Sequence, residues 1–552
     1  MIKNEIEQMV QAAVRKAQEA GDLPPAAIPD APIERPQRPE HGDYGTGLAM
    51  RMARAAQMKP LDIANAIAKH IEADGAFAGV EVAPPGFINF RLSTGWLSSQ
   101  VDAILEAGPT FGNIDLGAGK RVQVEFVSAN PVGPLHVGNG RGLALGDTLA
   151  RALEAAGFEV QREYLVNDAG TQTEVFAGTL YARYQQLFGR VVEIPEGGYP
   201  GEYMIGLAEE LKKEFGDSLL RDEGEPCPPE VHDRGIELML LSIREDLQMI
   251  GVTYDNWFSE RSLYQDGTYE KTMALLKERG FVAEREGAIW LVSSALGEEK
   301  DNVLVRSTGA PTYFASDIAY HYDKLVTRGF DRAVNIWGAD HQGHVPRMKA
   351  AVSALGIDPD RLEIIVYQLV TVKRGDEVIK LSKRAGDIIT MREIIEEVGP
   401  DAARFNFVTR AAETHMEFDI DLAKQQSSEN PVYYVQYAHA RIAGILMQAA
   451  ERGLDYGDGD VSLLKEDAEL ELIRKMLRLP ELIEHIAKTD EPHQLPYFAQ
   501  EMATAFHDFY EKCRVLSDDE ALSKARLKLV SAAKTVLARG LDLMGMSAPE
   551  RM

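Results

Sequence analysis

The stretch Arg121–Gly142, RVQVEFVSANPVGPLHVGNGRG, decides the fold. RVQVEFVSA is rich in β-branched and apolar residues and reads as a strand. NPVGPLHVGNGRG is a Gly- and Pro-rich turn, and LALGDTLARALEAAG after it has the apolar spacing of a helix. FEVQREYLV is a second strand, ending in NDAG. Strand, Gly-rich turn, helix and strand in that order open a parallel α/β sheet.

Upstream, residues 1–20 form a predicted helix, followed by a Pro-rich stretch, HGDYGTGLAM and an alanine-rich helical segment. VEVAPPGFINFRLS supplies two extended pieces around a turn, and Trp96 to Glu106 returns to helix. These residues are expected to form an α+β domain over 1–114, joined through the Gly-rich GPTFGNIDLGAGK. Downstream of NDAG, charged helices form an insertion over about 171–250, and the sheet pattern resumes with DNVLVRS, TYFASDIAYH, AVNIWGAD and LEIIVYQLV. A hairpin turns at Lys373 to Glu377 and returns through VIKLSKRAG, so the α/β domain is drawn over 115–404. Residues 405–552 are almost wholly helical, with Asn430–Pro431 as a cap and first-turn pair opening VYYVQYAHARIAGILMQA.

Composition narrows the class. Of the 552 residues 26% are charged, and no apolar run approaches the roughly 20 residues that span a bilayer. The N-terminus lacks the apolar core of a secretory signal. Two cysteines, Cys227 and Cys513, exclude a disulfide framework or an all-cysteine zinc site, and a reducing cytoplasm fits them. The formal charge of -27 repels an RNA backbone at long range, so RNA binding needs a local groove. Arg121, Arg141 and Arg162 are weak candidates for it. No self-association device is visible, and a monomer is expected.

Three constellations bear chemistry. The first runs from Glu125 through Ser128, Asn130, His136, Gly138 and Asn139 to Arg141, at the end of a strand and the mouth of a helix. Backbone N–H groups there favour anions, glycines let a phosphate approach, and an imidazole can donate to it. The spacing matches neither the P-loop nor the dinucleotide fingerprint, which removes a dehydrogenase. The second, Lys380-Leu-Ser382-Lys383-Arg384-Ala-Gly386, can place cations on a departing pyrophosphate. The third collects polar residues at strand ends. Tyr313 and Asp317, four apart, share a face if their segment is helical; Asp340, His341 and His344 suit polar recognition, structural use or a metal lacking a fourth ligand. Glu125 and Asp317 in such a pocket suit a cationic substrate.

HVGN at 136–139 and KLSKR at 380–384 resemble the two signatures of class I aminoacyl-tRNA synthetases. The stretches HGDYGTGLAM, PPGFINFRLS, EFVSANPVGPLHVGN, EYLVNDAG, VRSTGAPTYFASDIAYH, WGADHQGHV, GPDAARFNFV, ENPVYYVQYAHARI and GMSAPERM, in that order, resemble the arginyl-tRNA synthetase family over nearly the whole chain. The resemblance implies a Rossmann-type catalytic domain flanked by a tRNA-elbow domain and a helical anticodon-binding domain. It implies ATP with Mg²⁺, L-arginine and tRNA-Arg as substrates, a cytoplasmic location, and no structural metal or membrane. His136 and Lys383 would be catalytic, with Gly138, Asn139 and Ser382 completing the ATP site. Ser128, Asn130, Tyr313, Asp317, His341 and Glu125 would hold arginine. Tyr434, Tyr437 and Arg441 are candidates for an RNA-facing helix, although a core stripe explains the tyrosines as well.

The chain departs from the signature at Asn139, where the family pattern has a second histidine, and at Leu381, where it has methionine. Asparagine can donate a hydrogen bond but cannot become cationic, so an altered ATP affinity or rate is expected. The competing readings are a class I ligase for another amino acid and a non-catalytic RNA-binding relative. The second is expected to lose His136 or Lys383, and both are present.

Overall fold

The computed structural model describes residues 1–552 except Ala31, Glu223, Asp376 and 380–388. Lys380, Ser382, Lys383 and Arg384 of the second constellation therefore lie outside the described residues.

Helix α1 (Ile2–Glu19) buries Ile2, Ile6, Val10, Ala13, Val14 and Ala17, a stripe at helical spacing. Strands β1 (Ile33–Glu34) and β2 (Tyr44–Thr46), helices α2 (Leu48–Ala56) and α3 (Pro60–Ala68), strands β3 (Phe77–Ala83) and β4 (Phe87–Leu92), and helix α4 (Thr94–Ala107) complete this part. Its sheet has the order β1-β2-β4-β3 and is antiparallel throughout.

Strand β5 (Arg121–Glu125), helix α5 (Val137–Ala155) and strand β6 (Glu159–Val166) form the predicted βαβ unit, with β5 and β6 parallel. The helix begins at Val137, well before Leu143, so the glycine-rich run is helix and not turn. Those glycines are there for packing. A Cβ on Gly142 would lie 2.7 Å from the Tyr367 ring, and one on Gly138 2.9 Å from the His136 ring. The insertion contributes α6 (Thr171–Gln186), α7 (Tyr203–Phe215) and α8 (Pro229–Met249). Strand β7 (Asn256–Ser259), unanticipated from the sequence, then pairs parallel with β6. After α9 (Ser262–Gln265) and α10 (Thr268–Glu278), strands β8 (Val282–Arg285), β9 (Ala288–Leu291) and β10 (Asn302–Val305) form a separate antiparallel sheet. DNVLVRS is thus a strand, as expected, but not of the main sheet.

TYFASDIAYH is helix α11 (Tyr313–Tyr322), against the expectation of sheet. Thr312 caps it by accepting from the Ala315 N–H, and the cap outweighs the β propensity of Tyr and Phe. Strand β11 (Arg332–Gly338), helix α12 (Val345–Ala354) and strand β12 (Leu362–Tyr367) complete the main sheet, whose order is β12-β11-β5-β6-β7, all parallel. The direction of winding reverses between β5 and β11, and the carboxyl ends of the strands at such a reversal are where α/β sheets bind ligands.

Strands β13 (Val370–Arg374) and β14 (Glu377–Val378) form the predicted hairpin. Past α13 (Met391–Val398) and α14 (Pro400–Val408), strand β15 (Met416–Asp419) pairs parallel with β13, so the segment after 405 is not purely helical. Helices α15 (Ile420–Lys424), α16 (Pro431–Glu451), α17 (Asp467–Met476), α18 (Leu479–Thr489), α19 (Gln494–Lys512) and α20 (Glu520–Leu543) follow. Asn430 stands at the N-cap of α16, but its side chain donates back to the carbonyls of Ala423 and Gln425. Arg404, 1% exposed, joins the parts: it donates to Met544 O at 2.7 Å and Ile250 O at 2.9 Å, and pairs with Asp147 on α5.

Candidate active site

His136 stands at the N-cap of α5, between the carboxyl end of β5 and the helix it opens. Its backbone N–H donates to Asn139 Oδ1 at 3.0 Å, and the Asn139 N–H donates to His136 O at 2.8 Å. Asn139 therefore acts as a capping side chain that fixes the entry into α5. Its carboxamide oxygen is committed to the backbone, a role not foreseen from the sequence. Leu135 and Val137 are strapped to the far side: Met391 N donates to Leu135 O at 2.8 Å and Val137 N to Ile389 O at 3.1 Å.

The loop after β5 is held tightly. Val127 and Ser128 both have positive φ, 69° and 39°, a conformation costing an L-residue roughly 1–2 kcal/mol. Ser128 offsets this with two bonds: its hydroxyl donates to Glu125 Oε1 at 3.0 Å and accepts from Leu165 N at 3.1 Å. Ser128 thus works on the pocket through Glu125. Asn130 is exposed; its amide donates to Gln172 at 2.6 Å and its oxygen accepts from Asn167 at 2.8 Å.

Tyr313 and Asp317 lie one turn apart on α11, as their spacing requires. Tyr313 is 53% exposed, and its hydroxyl lies 3.4 Å from where a Cβ on Gly170 would stand, so it leans over the NDAG loop. Burial first, then the negative charges of Glu260 and Glu125, push the Asp317 carboxyl up to about 7, against the opposing pull of Lys324 and Arg347. Burial outweighs the two cations, so a further positive charge would favour the ionised form.

Glu260 is the residue that the sequence reading missed. It follows β7 at the carboxyl edge of the sheet, is 6% exposed, and its Oε2 has no hydrogen-bond partner among the described residues. Burial raises its carboxyl, partly offset by the Ser316 hydroxyl, with Asp168 adding to the rise. Its only signal would have been its place after a strand, and NWFS was too short to read as one.

Glu125 is 5% exposed, and its Oε2 accepts from Lys324 Nζ at 2.5 Å. It is a paired charge, and the pairing with Lys324 was not read from the sequence. His341 is exposed and packs its ring near Trp337 and His344, with centroids at 6.0 and 5.6 Å. Among the described residues no group of three or more His, Cys, Asp or Glu is placed to hold a metal ion.

The arginines weighed for a basic groove are each engaged within the chain. Arg141 is fully buried, donating to the carbonyls of Gln368 and Ala411; Arg121 donates to Arg328 O; Arg162 pairs with Glu154 and Asp147. On α16 the core face is Val432, Val435, Ala438 and Ile442; Tyr434 is half-buried and packs against the core, and Tyr437 lies off it. Tyr437 is 39% exposed and stacks on Tyr433 at 6.1 Å, while Arg441 sits over the Tyr437 and Tyr510 rings at 5.7 and 4.4 Å. No helix among the described residues is long and apolar enough to cross a membrane.

A five-stranded parallel sheet with a histidine at the helix mouth of its central strand, beside a carboxylate pocket at the point of reversal, has the build of a class I aminoacyl-tRNA synthetase core. The family model for the class I (R) tRNA synthetase catalytic domain matches residues 100–196 and 231–431, that for the arginyl-tRNA synthetase N-terminal domain residues 4–92, and that for the DALR anticodon-binding domain residues 435–552. An arginine–tRNA ligase of Dehalococcoides mccartyi (strain CBDB1) is 53% identical over 551 residues, 100% of this chain and 99% of that one. One of Desulfitobacterium hafniense (strain Y51) is 49% identical over 556 residues, again 100% and 99%. The solved Thermus thermophilus arginyl-tRNA synthetase superposes with a TM-score of 0.78 over 100% of both chains, at 23% identity, and supports the fold. The chain belongs to the arginyl-tRNA synthetase family.

Proposed function

We propose that this protein couples ATP cleavage to the attachment of L-arginine to tRNA-Arg. The arginine carboxylate attacks the α-phosphate of ATP, pyrophosphate leaves, and the terminal ribose hydroxyl of the tRNA then displaces AMP from the acyl carbon. The observation that carries the choice of substrate is the pair Asp317 and Glu260, two carboxyls raised by burial, with the Glu260 charge adding to the rise of Asp317. A planar guanidinium meets two such carboxylates with paired hydrogen bonds, which a lysine ammonium cannot reproduce.

At the other end of the pocket, Glu125 and Asn130 receive the α-ammonium, with Ser128 fixing Glu125. His136 and the first backbone N–H groups of α5 hold the triphosphate, and Gly138 keeps the imidazole unobstructed. Lys383 and Ser382 bring a cation and a hydroxyl to the leaving pyrophosphate, and Mg²⁺ arrives with ATP. His341 lies at the rim of the amino-acid pocket. Residues 1–114, 115–404 and 405–552 serve as elbow-binding, catalytic and anticodon-binding domains. Tyr434, Tyr437 and Arg441 form the RNA-facing part of α16. The enzyme acts as a cytoplasmic monomer.

ATP–pyrophosphate exchange with each of the twenty amino acids, with and without total tRNA, tests this reading. Exchange with arginine in the presence of tRNA is the expected result. Exchange with a different amino acid would assign a sister ligase, and none under any condition would leave an RNA-binding protein.

A further inference from the structure

Behind the pocket a polar row crosses the sheet. Asn335 on β11, Glu125 on β5, Glu163 on β6 and Asn256 on β7 are register partners on successive parallel strands. Two cations cover the row. Lys324, 0% exposed, reaches Glu125 Oε2 at 2.5 Å and Asn335 Oδ1 at 3.0 Å and lies 4.0 Å over the Tyr320 ring. Arg328 pairs with Glu163. From Asn335 the bonding continues: its Nδ2 donates to His321 Nε2 at 2.7 Å, and His321 Nδ1 donates to the carbonyl of Asp317 at 2.7 Å. The two ring bonds fix one neutral tautomer, and burial holds the imidazole far below its ordinary range, at about 3.

The geometry points to Lys324 as a positioning residue for the amino-acid substrate: it holds the Glu125 carboxylate in place, and through Asn335 and His321 ties it to the helical turn bearing Asp317. This deepens the proposed function and rests on it. A carboxylate has about four lone-pair positions. Ser128 and Lys324 each take one on Glu125, which leaves the others for an incoming ammonium. The same chain of bonds sets the separation between the two ends of the pocket, so an amino acid of the wrong length finds one end unmet. The charged and titratable groups around Glu125 are Lys324, Glu163, Asp317, Tyr320 and Tyr254. Lys324 is the cation in direct contact with it.

The test is Lys324→Met and the double variant Lys324→Met/Glu125→Gln, measured by arginine-dependent ATP–pyrophosphate exchange with tRNA, with the arginine KM and the ATP KM determined separately. In the single variant the arginine KM is expected to rise about tenfold or more, with the ATP KM unchanged. The double variant also removes the carboxylate left without its ammonium, which protects folding, and it retains the high arginine KM. An unchanged arginine KM in either variant overturns the inference, as does a parallel rise of both KM values with a lowered melting temperature. If the unmodified enzyme shows no arginine-dependent exchange, the functional reading falls and takes this inference with it.

Discussion

Asn139 Oδ1 accepts the backbone N–H of His136 at 3.0 Å, so the residue that departs from the family signature is the one that seats the histidine proposed to hold the triphosphate. Asn139→Ala removes that bond. It is expected to cost about 1 kcal/mol of stability, the usual worth of a helix cap, and to raise the ATP KM while leaving the arginine KM unchanged. Thermal melting together with steady-state exchange kinetics separates the two effects. A variant with both normal stability and normal ATP KM would show that the cap is dispensable.

Asp317 predicts a pH dependence with a definite sign. Its carboxyl titrates at about 7 in the free protein, so arginine meets a neutral acid at pH 6 and a carboxylate at pH 8. The arginine KM should fall as pH rises across that interval, and binding near pH 7 should release a proton, visible by calorimetry in buffers of different ionisation enthalpy.

The same residue weakens the empty fold. A carboxyl raised from its ordinary 3.8 stabilises the folded state below that value and loses the contribution as pH rises through about 7. Asp317→Asn should therefore melt higher than the unmodified protein at pH 8, with a smaller gain at pH 5, while arginine-dependent exchange is lost. A lower melting temperature at pH 8 would contradict the assignment of Asp317 as an unpaired substrate carboxylate.

Glu260→Gln keeps the shape of the side chain and removes its charge. A hydrogen bond to a charged group contributes about 1.5–3 kcal/mol, which corresponds to a rise of roughly ten- to a hundredfold in the arginine KM. Competition by lysine and by citrulline, which lacks the guanidinium charge, reads out the change in selectivity directly.

Tyr437→Ala tests the exposed face of α16. Stacking of one base on an aromatic ring is worth about 1–3 kcal/mol, so the tRNA KM in aminoacylation should rise roughly five- to a hundredfold, with the melting temperature held because Val435 and Ala438 carry the core contacts. A fall in stability with an unchanged tRNA KM would return the tyrosine to a packing role.

The parts of this molecule that were legible in the sequence are those whose signal is local. The alternation in RVQVEFVSA and FEVQREYLV marks β5 and β6, and the four-residue spacing of Tyr313 and Asp317 puts them on one face once their segment is helical. Glycines misled because they serve two purposes: at 138 and 142 they admit neighbouring rings into a helix, yet in sequence they look like a turn. TYFASDIAYH misled because a single threonine cap decides its state. Lys324 could not have been found at all. In sequence it is an ordinary lysine among polar neighbours, and its partner Glu125 is 199 residues away. Glu260 was hidden by the brevity of β7.

The polar row across β11, β5, β6 and β7 has a consequence for how the enzyme comes into being. Side chains alternate along a strand, so a slip of one residue in any pairing would turn Glu125 or Glu163 to the opposite face, away from Lys324 and Arg328. A newly made chain with a misaligned sheet would bury a lone charge and fail to persist. The row proofreads the assembly of the sheet, and a molecule that passes this check has Glu125 and the turn bearing Asp317 already tied together.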